Sequence, residues 1–178
     1  MPRVLTFVLL AFLLLSVAAA QQDKSKRPSP PATAECTFAG GKKVVVDYSQ
    51  PSMRGRGIFG ELVPYGQIWR TGANEATGFV TDIDLNVGGT AVPAGKYTLY
   101  TLPNPDSWKL IISKKTGQWG IPYPGEQEDF ARIDMNAQKT SSPVEKFTLS
   151  FDRSKPDACL MKLEWASTRA AVEISEKK

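Results

Sequence analysis

The residues best equipped for chemistry crowd into one stretch. Between Asp47 and Thr77 (DYSQPSMRGRGIFGELVPYGQIWRTGANEAT) stand Arg54, Arg56 and Arg70, with Asn74, Glu75, Thr71, Tyr65 and Trp69 among them. An arginine offers a planar fork of N–H donors that matches carboxylate, phosphate or sulfate in two places at once. Asn74 can donate and accept, and Tyr65 and Trp69 offer flat faces of the kind that suit a sugar ring or an aromatic ligand. Together they suggest a site for a small anionic or carbohydrate ligand. A purely architectural reading stands beside it: Arg70 paired with Glu75, Trp69 plugging one end of the fold, and Asn74 holding a turn.

What is missing narrows the chemistry. The chain has no histidine, which removes Ser-His-Asp triads, histidine-dependent zinc sites and the usual general base near neutral pH. An enzymatic reading must rest on carboxylates, with Glu75 paired to Glu61 or to one of Glu126, Glu128 and Asp129 in the manner of a glycoside hydrolase. No spacing along the chain brings such a pair together, so no catalytic residue is assigned. A carboxylate-dependent hydrolase acting on carbohydrate is the alternative to a non-enzymatic binding or structural module. No cofactor and no metal site is expected; Asp82, Asp84 and Asn86 resemble part of a calcium loop, but Val87 and Pro93 stand where its glycine and final glutamate belong.

The elements that must position this stretch are strands. Val44, Val46 and Tyr48 alternate with Lys43, Val45 and Asp47; Phe79, Thr81, Ile83, Leu85 and Val87 alternate with polar residues over Thr77–Val87; Phe147, Leu149 and Phe151, and later Met161, Leu163 and Trp165, do the same. Further strands are expected over 34–39, 96–102, 107–113, 130–137 and 168–174, separated by Gly and Pro signals such as Gly40-Gly41, Gly88-Gly89 and Pro103-Asn104-Pro105-Asp106. A second long loop, 114–129, carries Trp119 and Tyr123, which could supply a far wall to the site. Nine or ten short strands without a helical period imply an all-β fold, read here as a two-layer antiparallel sandwich with one long ordered loop.

The ends of the chain read differently. Arg3, the apolar run 4–15 and the small residues Ala18 and Ala20 form a secretory signal, residues 1–20, expected to be cleaved after Ala20. Residues 21–33 (QQDKSKRPSPPAT) are polar and Pro-rich and read as a disordered linker. A single domain is expected over 34–175, with a tail at 176–178. The protein is therefore expected to be exported, periplasmic or secreted, without a stable membrane anchor after cleavage. The net charge of +4 falls by one with Arg3, a mild and scattered excess that does not suggest a nucleic-acid partner. The only two cysteines, Cys36 and Cys159, suggest a disulfide in an exported protein, with two separately buried thiols as the rival. Oligomeric state is left open.

The run GRGIFGELVPYGQIWRTGANEAT, preceded by DYSQPSM, resembles the signature of domain-of-unknown-function family 2911, a group of exported bacterial proteins. The similarity continues through VPAGKYTLYTLP and SWKLIISK, and more loosely through SPVEKFTLSF and LEWASTRAAVEI, so that it spans about Cys36 to Ile174. The resemblance implies a β-sandwich, an exported location and a motif centred on Trp69-Arg70-Thr71-Gly72-Ala73-Asn74-Glu75. It implies no established activity.

Overall fold

The computed structural model describes residues 23–178; the expected signal, its cleavage site and the first two linker residues lie outside them. Nine strands form: β1 (Pro31–Thr37), β2 (Lys43–Ser49), β3 (Thr77–Thr81), β4 (Leu85–Val87), β5 (Thr90–Val92), β6 (Gly95–Pro103), β7 (Trp108–Ser113), β8 (Asp129–Lys155) and β9 (Ala158–Glu176). Three short 3₁₀ turns interrupt them, and no α-helix occurs among the described residues. Every pairing is antiparallel, and the order is β1-β2-β3-β6-β7-β8-β9-β4-β5. The fold is all-β, with a strand count at the low end of the expected range.

The strands join edge to edge in one open sheet rather than in two separate ones. The cause lies in β8 and β9, which continue through positions where the sequence suggested ends. Register shifts between Lys139, Val144 and Thr148, and a left-handed residue at Ala166 (φ 50°), bend the strands without breaking them. The two halves of the sheet then face each other. Tyr48 on β2 donates to the carbonyl of Leu149 on β8 (3.2 Å) and accepts from its amide (3.1 Å). Val44, Val46, Phe79 and Leu99 from one half share a single core cluster with Leu149, Met161, Leu163 and Trp165 from the other.

Cys36 on β1 and Cys159 on β9 are joined by a disulfide, with Cα atoms 6.5 Å apart. The first strand starts at Pro31, three residues before the expected Ala34, because its register with β2 runs from Pro31 opposite Ser49 to Thr37 opposite Lys43. The expected strand Thr77–Val87 divides in two. Thr81 donates from Oγ1 to the carbonyl of Ile83 (2.7 Å) and accepts from its amide (3.3 Å), a local turn that replaces the ladder. Burial still alternates across the break, with Phe79, Leu85 and Val87 inside, so periodicity could not reveal it.

Candidate functional site

Residues 50–76 contain no extended strand, yet they are closely fastened. Trp69 exchanges backbone hydrogen bonds with Thr101 on β6 (2.8 and 2.9 Å), the amide of Gly66 donates to the carbonyl of Pro103 (2.9 Å), and the amide of Met53 donates to Glu145 on β8 (2.8 Å). Ile58 and Val63 bury their side chains beneath the loop. Trp69 itself packs against three rings: Trp165, stacked at 5.7 Å and 19°, and Phe147 and Phe59, edge-on at 4.9 and 6.0 Å. Its indole N–H donates to the carbonyl of Gly72 (3.2 Å). Trp69 is therefore packed against the core of the fold.

Thr71 and Asn74 hold the turn that follows. Both have left-handed backbone, at φ 54° and 60°. For a β-branched threonine this is an uncommon and costly conformation. It is held from several sides. The buried Thr71 hydroxyl lies 3.2 Å from that of Thr101, and the Thr71 carbonyl accepts from Thr77 Oγ1 (2.7 Å). Gly72 passes so close to β2 that a β-carbon would stand 3.1 Å from the carbonyl oxygen of Ser49. Asn74 donates from Nδ2 to the Ser29 carbonyl (2.9 Å) and to Ser49 Oγ (3.2 Å).

Glu75 does not meet Arg70. Both its carboxylate oxygens accept from Arg27 (2.9 Å each), and Lys24 lies 3.0 Å away. Burial acts to raise its pKa, but its own backbone amide and the hydrogen bonds from Arg27 and Lys24 outweigh that and hold it at about 2. These three residues line a depression of about 270 Å³ in which the charges are already matched. The segment 27–30 thus lies along the loop. It is held there by Glu75 and Asn74, by Arg54, which reaches the Pro28 carbonyl (3.3 Å), and by Gln50, whose amide donates to the Pro30 carbonyl (2.9 Å).

Arg56, Trp69 and Arg70 line a larger pocket of about 360 Å³. Arg56 spends Nε on the Met53 carbonyl (2.9 Å) and Nη2 on the Ser52 carbonyl (2.7 Å). Arg70 is half-buried, and burial depresses its pKa. Among the described residues its guanidinium has no hydrogen bond and no carboxylate partner. Its stem lies over Gly120, where a β-carbon would fall 2.2 Å from Arg70 Cδ and 2.8 Å from its Cβ. Such an arrangement is a cation held in place by packing with its donors unspent.

Of the eight expected site residues, the pocket brings together three. Arg54, Tyr65, Thr71, Asn74 and Glu75 are not among its walls; Tyr65 is exposed and its ring covers Gly60. The far wall comes from the expected loop but from a different residue, Ile121. Trp119 is exposed and bridges to Glu75 through its backbone, while Tyr123 donates to Asp129 and packs edge-on to Tyr100. Leu62, Gln67, Ile68 and Trp165 complete walls that sequence reasoning missed. The available signal was an apolar residue in each Gly/Pro-rich loop, Leu62 and Ile121, with no strand phase to bury it.

Three of the five carboxylates considered for hydrolysis are otherwise engaged. Asp129 and Glu126 bind Arg132 (2.7 and 3.0 Å), and Glu75 is held ionised, the opposite of what a general acid requires. Asp82 accepts from the amide of Lys43 (3.1 Å) and Asp84 from that of Ala94 (2.9 Å).

A family model described as "Protein of unknown function (DUF2911)" matches residues 29–174. No curated protein and no solved structure matches the chain.

Proposed function

This chain belongs to the DUF2911 family, and from that premise we propose that it is an exported, non-enzymatic domain that binds a small anionic ligand in the pocket walled by Arg70, Arg56 and Trp69. The observation that carries the reading is the half-buried guanidinium of Arg70, which has no partner among the described residues. A desolvated charge without a partner costs stability, and the chain maintains it beside a strained threonine that is clamped in place. Strain and unspent charge of this kind cluster at sites of function. An anion fits better than a sugar, because Trp69, the ring on which a sugar would stack, is packed against Trp165, Phe147 and Phe59. Export is supported by the apolar leader at 1–20 and by the Cys36–Cys159 disulfide. No described helix is long and apolar enough to cross a membrane.

A thermal-shift screen of the mature protein against small carboxylates, phosphate, sulfate and sugars tests the reading. A ligand at a hundred times its Kd stabilises the native state by about 2.7 kcal/mol, which for a domain of this size raises Tm by roughly 5–10 °C. The shift should appear with anions and vanish in Arg70→Met. It should also be lost in Gly120→Ala, whose methyl group would push the Arg70 stem aside. A panel without any shift, or a shift that survives Arg70→Met, refutes the proposal.

A further inference from the structure

We infer that the ligand of this pocket is a hydrophobic monocarboxylate, a small organic acid with an apolar body, and this rests on the anion-binding reading above. The donor count argues for one carboxylate. Arg70 supplies a single free fork, while two of the donor nitrogens of Arg56 are taken by the carbonyls of Met53 and Ser52. No lysine lines the pocket and no α-helix among the described residues aims its N-terminus there. A phosphate or sulfate, with three or four oxygens to satisfy, is usually held by several donors. One planar carboxylate is satisfied by one fork.

The walls argue for an apolar body. Besides the two arginines, Gln67 and Ser29, the pocket is lined by the apolar side chains of Leu62, Ile68, Trp69 and Ile121. Leu62 and Ile121 are 47% and 59% exposed, they come from two separate loops, and they line the same opening. Large apolar side chains lining the same opening as an arginine with unspent donors suit an occupant that is charged at one end and apolar along its length. The volume of about 360 Å³ lies in the range of small-molecule sites, near its lower end.

Calorimetric titration of the mature protein with acetate, butanoate, hexanoate and phenylacetate, alongside hexanamide, phosphate and sulfate, decides the matter. Affinity should rise about fourfold for each added methylene until the pocket is full. Hexanamide should bind at least tenfold more weakly than hexanoate, and Arg70→Met should abolish the difference. The double variant Leu62→Ser/Ile121→Ser alters exposed residues, so it should fold and lose the dependence on chain length. Phosphate or sulfate binding as tightly as hexanoate, without chain-length dependence, overturns this inference and leaves the anion site standing. Absence of binding by every anion overturns both. Peptides ending in an apolar residue with a free carboxylate that bind more tightly than the matching acids would overturn it in favour of a protein partner.

Discussion

Arg70 and Asn74 belong to the same loop and should respond in opposite directions to removal of their polar groups. Asn74 makes two hydrogen bonds, to Ser29 and Ser49, from a left-handed backbone at φ 60°. In Asn74→Ala each lost bond costs about 0.5–1.5 kcal/mol, and alanine in that conformation adds about 1–2 kcal/mol. The sum of about 2–5 kcal/mol corresponds to a Tm lowered by roughly 4–20 °C. Asn74→Gly separates the two terms, since glycine tolerates the positive φ and loses only the bonds. Arg70→Met keeps the aliphatic stem over Gly120 and deletes a half-buried charge that has no partner among the described residues. Its Tm should therefore be unchanged or a few degrees higher. Scanning calorimetry of the three variants at neutral pH measures both signs. A marked fall in Arg70→Met would mean that the guanidinium is a structural strut, and an unshifted Asn74→Ala would mean that the turn is not held by its side chain; either refutes the division of labour argued here.

Other consequences follow from the same geometry. The disulfide closes a separation of 123 residues, for which the chain-entropy model allows about 4.9 kcal/mol at most; a Cys36→Ser/Cys159→Ser variant should melt well below the oxidised protein, and equal melting temperatures would contradict this. Trp165 is 1% exposed within the aromatic cluster, so Trp165→Ala should cost about 3–5 kcal/mol, read from the urea midpoint; a loss below about 1 kcal/mol would place the ring outside the core. Glu75 has its pKa lowered from 4.5 to about 2, so its contribution is complete above pH 4.5 and is lost as the pH falls through about 2. Because the carboxylate is 38% exposed, screening limits that contribution to about 0.5–1 kcal/mol. In Glu75→Gln the acid-induced fall in Tm between pH 4.5 and 2 should be shallower than in wild type, and parallel curves would show that Arg27 and Lys24 do not fasten the N-terminal segment.

The strands were legible because burial on one face of a sheet imposes a period of two on the chain. Val44, Val46 and Tyr48 are buried as their alternation demands, and so are Met161, Leu163 and Trp165. The same period hid the ends of strands. Alternation runs unbroken through Asp82 and Asp84, although the Thr81 turn sends Leu85–Val87 to pair with β9 instead. It also gave no sign that β8 and β9 pass through their bulges intact, since a bulge shifts pairing without altering composition.

The loop was legible as an address and not as an arrangement. Glycines, prolines and three arginines between Asp47 and Thr77 marked it, and the match to the family spans it. Which arginine remains free was a different matter. Arg70 and Glu75 are close in sequence and look like partners, but Glu75 is taken by Arg27 from the segment before β1, and Arg70 lines a pocket with Ile121 from a loop beyond β7. Local sequence determined the strand faces and the presence of cations, because each depends on a residue and its near neighbours. Tertiary structure alone decided which charges were neutralised and which walls met, because both depend on segments brought together only when the sheet folds its two halves over one core.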